Sequence, residues 1–266
     1  MKRIRIVGLC LVAVFALAGL TASSALAGSG AGPHPSYKLC KQLKVKPLKG
    51  HYTDKKCEHH ATAGEEAEGK KNKYEWGEFN EGKEAQPAFK GKNGVSTLTS
   101  YVKGFGIVGA VTCAKAKSEG KITSAKGGVV TVVFEKCTSS GESCASAGEA
   151  AGKIKTEELA TELIDTAESA TGVATRVSGQ PVSAAFKCGA EEVKTTGTAD
   201  GEDLGNVETL VKKSKQNFAV NAGGEQVINN GGADVLLTEV KGVGTFESGE
   251  NTASELSGKE EMEIEL

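Results

Sequence analysis

Residues 127–137 read GGVVTVVFEKC. Successive side chains on an extended chain point to opposite faces, so Val130, Val132 and Phe134 share one side and Val129, Thr131 and Val133 the other. A run rich in β-branched residues and apolar on both faces reads as a strand in the middle of a sheet. The texture recurs from Val95 onward. VSTLTSYV (95–102), GIVGAVTC (106–113), GKITSA (120–125), ATGVATRV (170–177), VSAAFKC (182–188), QNFAV (216–220), ADVLLTEV (233–240) and EMEIEL (261–266) each read as a strand. Asn93-Gly94, Asp200-Gly201 and Asn230-Gly231 are expected to be tight turns between them. Many short strands at regular spacing predict an all-β fold: an antiparallel β-sandwich or a barrel-like sheet.

One segment is contested. TEELATELIDT (156–166) places Leu159 and Leu163 at helical spacing among good helix formers. Read with period two, Leu159, Thr161 and Leu163 share one strand face. Propensity favours helix and the neighbourhood favours strand; we read it as a strand.

Upstream the composition changes. Residues 1–27, MKRIRIVGLCLVAVFALAGLTASSALA, carry three basic residues, an apolar run and a small-x-small ending at Ala25-Leu26-Ala27, the pattern of a secretory signal peptide. Residues 28–35 (GSGAGPHP) read as a flexible lead-in. Residues 36–92 hold most of the histidines and half of the aromatic residues that remain after cleavage, with too little apolar surface to fold alone. They are expected to form a small disulfide-stapled N-terminal region docked on the sheet of 93–266. No other segment approaches a membrane span, so no membrane insertion is expected after cleavage.

Cleavage leaves 239 residues with 29 Lys+Arg against 34 Asp+Glu, a net charge near −5, and Arg176 as the sole arginine. Nucleic-acid readers lean on arginine and basic patches, so this balance argues against such a partner. Six cysteines remain: Cys40, Cys57, Cys113, Cys137, Cys144 and Cys188. With no CxxC pair, they read as disulfides and not as a metal site. The sequence does not choose among their pairings. Short spacing suggests Cys40–Cys57 and Cys137–Cys144, leaving Cys113–Cys188.

The run VTCAKAKSEGKITSAKGGVVTVVFEKCTSSGESCASAGEAAGKIKT (111–156) resembles a recurrent pattern in secreted proteins of soil actinobacteria. There a cysteine ends one strand, a G-x-I strand follows, and V-T-V-x-F-x-x-C leads to a C-x-S-A-G turn. FKCGAEEVKTTG (186–197), GHYTDKKC (50–57) and KYEWGEF (73–79) are similar too. The chain differs from the pattern at 156–166, where that family carries a proline-containing strand. The resemblance implies secretion and an all-β fold, and it carries no activity.

Chemistry-bearing patterns are sparse. GFGIVG (104–109) has the spacing of a dinucleotide loop but runs into a strand, not a helix. Cys57-Glu58-His59-His60 gathers ligand-type residues, yet an oxidised Cys57 removes the thiolate. No metal and no cofactor is expected. Serine catalysis lacks its elbow, since Gly141-Glu142-Ser143-Cys144-Ala145 misses the last glycine. The most suggestive piece is Tyr74-Glu75-Trp76-Gly77-Glu78-Phe79. Tyr74, Trp76 and Phe79 can stack on sugars or anchor the N-terminal region to the sheet. Glu75 and Glu78 are the candidates for glycoside hydrolysis.

The expectation is a secreted, non-catalytic binding or structural protein, extracellular or envelope-associated. Its partner would be a cell-wall glycan or another extracellular protein. Two alternatives stand beside it: a secreted polysaccharide hydrolase, and a matrix or filler protein without a specific ligand.

Overall fold

The computed structural model of the chain describes residues 35–43, 50–55, 57, 59–62, 73–78, 86–168, 171–205, 211–229 and 234–265. All of them belong to one compact unit, Pro33–Leu266. The expected signal segment, nearly all of the lead-in, Phe79 and the expected turn at Asn230-Gly231 lie outside the described residues.

Among the described residues there is no helix. The chain runs through β1 (Ser36–Gln42), β2 (Tyr74–Glu78), β3 (Ala88–Asn93), β4 (Ser96–Val102), β5 (Gly106–Cys113), β6 (Lys115–Ser124), β7 (Gly127–Glu135) and β8 (Thr138–Ser139). It continues through β9 (Glu142–Ala145), β10 (Lys153–Lys155), β11 (Leu159–Asp165), β12 (Val173–Cys188), β13 (Glu191–Leu204), β14 (Val211–Phe218), β15 (Leu236–Val240) and β16 (Gly244–Glu265). All sixteen strands join one antiparallel sheet.

That sheet is ring-like, without being a simple barrel. Pairing followed from β16 through β3, β6, β7, β11, β12, β13 and β14 returns to β16. A second circuit runs through β4, β5, β8, β9, β12, β13 and β15 and also returns to β16. The circuits share β12, β13 and β16, which are long enough to change neighbours along their length. β12 does so across a register shift between Gly179 and Ala184.

β7 takes the inner place its sequence predicts, with β6 on one side and β11 and β10 on the other. The contested segment is strand β11. Leu159 and Leu163 are buried, and Leu163 pairs with Thr175 of β12. Helix propensity loses here because the apolar side chains of β11 complete a core made by its neighbours. The expected turn at Asp200-Gly201 is a correction: both residues lie inside β13. The glycine serves close packing, not a bend, because a Cβ at Gly201 would sit 2.6 Å from the Phe218 ring.

The cysteine pairing also differs from expectation. Cys40–Cys57 forms as its spacing suggests. The other two bonds are Cys113–Cys137 and Cys144–Cys188, not Cys137–Cys144 and Cys113–Cys188. Sheet register decides them. Thr112 pairs with Thr138, which brings the neighbouring Cys113 and Cys137 together. Cys144 and Cys188 are direct partners between β9 and β12. Both bonds lie in a buried cluster with Ile154, Ala184, Phe186 and Val193.

Much of the inner surface is small and polar. Ser248, Thr252 and Ser254 of β16 are buried, as are Ser96 and Ser100 of β4. Their hydroxyls bond across strands: Ser96 to Thr252 at 2.7 Å, Ser100 to Ser248 at 3.2 Å, and Ser248 to Thr238 at 2.8 Å. Each hydroxyl bonded in this way avoids the cost of an unpaired polar group.

Candidate functional site

The ring encloses a cavity of about 180 Å³. Its wall is built by strand alternation. Val130, Val132 and Phe134 of β7 face it, as the sequence places them on one side. Leu159 and Thr161 of β11, Thr175 and Val177 of β12, and Ala199 and Asp203 of β13 face it too. Gln216 and Phe218 of β14 and Glu250, Thr252, Ser254 and Leu256 of β16 line it as well, as do Asn93 of β3, Leu98 of β4, Val111 of β5 and Ile122 of β6. Lys212 lines one end and is exposed, so the cavity reaches the surface there.

Two acidic side chains enter this largely apolar space, in different states. Asp203 is fully enclosed and well served: Thr175 Oγ1 donates to it at 2.6 Å and Gln216 Nε2 at 3.0 Å. Burial nevertheless pushes its carboxyl up to about 6, outweighing those two hydrogen bonds. Tyr37 of β1 sits beside this group, its hydroxyl pushed up by burial and then by the Asp203 charge. Glu250 differs. It faces the cavity between Ser248 and Thr252, opposite Leu98 of β4. Among the described residues its carboxylate has no hydrogen bond and no ion pair, and burial alone pushes it up to about 7.

A second buried charge cluster lies at Arg176, the sole arginine beyond residue 27. Arg176 and Asp200 are register partners on β12 and β13. Arg176 Nε is 3.4 Å from Asp200 Oδ1, its Nη2 donates to Asp234, and its Nη1 is 4.0 Å from Glu162. Burial and then the Asp234 charge push the Asp200 carboxyl up, partly offset by Arg176. Asp200 and Arg176 alternate with Ala199, Gly201, Thr175 and Val177, so this cluster sits on the side of the sheet away from the cavity.

The residues singled out from the sequence lie elsewhere. Tyr74 and Trp76 are both half-buried on β2, whose partner in the sheet is β1. They are two residues apart and so share a strand face. Glu75 accepts a hydrogen bond from the His51 amide at 3.0 Å, and its Oε2 is 2.5 Å from His51 Nδ1. The Glu78 side chain is outside the described residues. Cys57 is oxidised, His59 bonds Asp54, and His60 packs on the Tyr52 ring with centroids 4.4 Å apart. Among the described residues no group of three or more His, Cys, Asp or Glu side chains is arranged for a metal. No described helix is long and apolar enough to cross a membrane.

The cavity was not foreseen from the sequence. Its lining comes from many strands in alternate positions, and no contiguous motif marks it. The usable signal was the inward face Val130–Val132–Phe134. No family model, no curated protein and no solved structure matches the chain.

Proposed function

We propose that this is a secreted, non-catalytic binding protein whose site is the cavity inside the strand ring. The ligand class is a small, mostly apolar molecule. The observation that supports this most is the cavity itself: about 180 Å³, walled by aliphatic and aromatic side chains interleaved with serines and threonines, with the carboxyls of Asp203 and Glu250 among them. Sites for small molecules are concave and enclosed, with apolar surface for the body of the ligand and placed polar groups that fix its orientation. Three disulfides support an oxidising compartment, and the signal-like segment 1–27 supports export. Likeness of residues 111–156 to secreted actinobacterial proteins favours the same location.

The test is calorimetric titration with 1-octanol, in the native protein and in Ala199→Phe. Ala199 is buried on the wall, and the larger ring would occupy the space. Saturable binding that disappears in the variant, with the β-sheet circular dichroism retained, is expected. Equal binding by both proteins would contradict the proposal.

A second reading keeps an envelope glycan as partner. Tyr74 and Trp76 share one face of β2 and remain partly exposed, which suits stacking on sugar rings. Sedimentation with insoluble peptidoglycan, cellulose and chitin, beside Trp76→Ala, tests it. Retention lost in the variant is expected on that reading, and no retention of either protein would remove it.

A further inference from the structure

We infer that the cavity selects an apolar molecule bearing a cationic amine, with Glu250 as the counter-ion and Phe218 as the neighbouring aromatic face. This rests on the cavity being the binding site, and it names the ligand class.

Four observations carry it. Glu250 lines the cavity on the inward face of β16, and its carboxylate is without a partner among the described residues. The other carboxyl on that wall is served, since Asp203 takes bonds from Thr175 and Gln216, and Thr252 beside Glu250 bonds Ser96; Asn93 Oδ1, a neutral acceptor on the same wall, is also without a partner among the described residues. The positive charges nearby in the fold are committed elsewhere or remote. Arg176 points to the opposite side of the sheet and pairs with Asp200 and Asp234. Lys212 lies at the exposed end, near the level of Gly258 in the register, eight residues along β16 from Glu250. At the rise of a strand that is about 26 Å away.

Phe218 is the fourth. It pairs with Thr252, two residues from Glu250 and on the same face. Inward neighbours on a strand stand about 7 Å apart. Leu98 lies directly opposite Glu250, and Leu236 pairs with Ser248 beside it. A carboxylate flanked by an aromatic ring and two leucines offers an ammonium group a charge-assisted hydrogen bond and a π face, with aliphatic walls for the rest of the ligand. A neutral apolar ligand would leave the ionised carboxylate desolvated and unpaired, and a carboxylic acid would add a like charge.

The experiment compares three probes of equal chain length, 1-octylamine, 1-octanol and octanoate, by calorimetry at pH 8. At that pH Glu250 is above its midpoint of about 7, and the amine, near 10, is charged. The amine is expected to bind about tenfold or more tightly than the alcohol, with octanoate weakest. In Glu250→Gln the preference for the amine over the alcohol should be lost, and the alcohol should bind at least as tightly as it does to the native protein. Equal affinity for amine and alcohol in the native protein would overturn the inference and leave the cavity reading standing. So would an amine preference that survives in Glu250→Gln. Failure of all three probes to bind would overturn both. The three-probe comparison in the native protein decides the matter even if the variant does not fold.

Discussion

The N-terminal lobe and the strand ring are held together by different means. The lobe is two short strands, β1 and β2, with the segment around Cys57 tied on by Cys40–Cys57, and its aromatic residues Tyr52, Tyr74 and Trp76 are only half-buried. It joins the ring where Tyr37 pairs with Ile264, and Tyr37, Leu39 and Ile264 are buried with Ile122, Leu163 and Val173. The ring closes its own edges by pairing, carries two disulfides, and faces inward with serines, threonines and aliphatic side chains. The lobe is thus joined to the ring by one strand pairing and one shared apolar cluster, whereas the strands of the ring close on one another around a space. A closed wall removes the exposed edges that an open sheet must protect.

Breaking the ring should cost most. Removing Arg176 as Ala strands Asp200, which is 1 % exposed, beside Asp234. Loss of one partner from a buried ion cluster costs about 3–5 kcal/mol, read as a lower urea midpoint. Arg176→Met should cost less, because it keeps the packing of the stem.

The staples come next, and they sharpen the contrast. Cys144–Cys188 spans 44 residues and Cys40–Cys57 spans 17. Loop entropy predicts losses of about 4 and about 3 kcal/mol for the paired serine substitutions. The decisive difference is location. Loss of the lobe staple should leave the ring amides protected from hydrogen exchange, whereas loss of the ring staple should expose them. Equal loss of protection in both variants would erase the distinction.

Acidity should stabilise the ring. Asp203 and Glu250 have carboxyls pushed up to about 6 and about 7 by burial. Between about pH 4 and 7 the folded state therefore holds protons that the unfolded chain has released, and stability falls as pH rises through that window. Exposed Glu192, held down near 2 by Lys187 and then Lys241, acts the other way, but only as pH falls below about 4. The melting temperature is expected to be higher at pH 5 than at pH 8. Glu250→Gln should flatten the slope, and an unchanged slope would contradict the assignment.

The smallest effect tests the polar lining. Ser248→Ala removes the hydroxyl that bonds both Ser100 and Thr238, at a cost of about 1–3 kcal/mol if their hydroxyls stay unsatisfied. Thermal unfolding of the single and double alanine variants would show whether the ladder is coupled.

How much of this was legible follows from the same contrast. β7 was legible because Val, Thr and Phe alternate on two apolar faces. β16 was not, beyond its end: its inward positions 248, 250, 252 and 254 are Ser, Glu, Thr and Ser, so the usual apolar alternation is missing. Asp200-Gly201 carried the chemistry of a turn while serving the Phe218 ring across the sheet. Cysteine spacing along the chain failed for two bonds because register, not sequence distance, sets which strands adjoin. The Tyr74–Trp76 pair stood out in a chain poor in aromatics, whereas the cavity wall, spread over many strands, carries no local signature.

The central claim, that ligands enter the ring and not the aromatic face of the lobe, is tested most directly by crystals soaked with 8-bromo-1-octanol, using anomalous scattering to place the bromine. The account predicts a bromine inside the ring, among Val130, Val177, Phe218 and Leu256. A bromine beside Tyr74 and Trp76, with the ring interior empty, would contradict it.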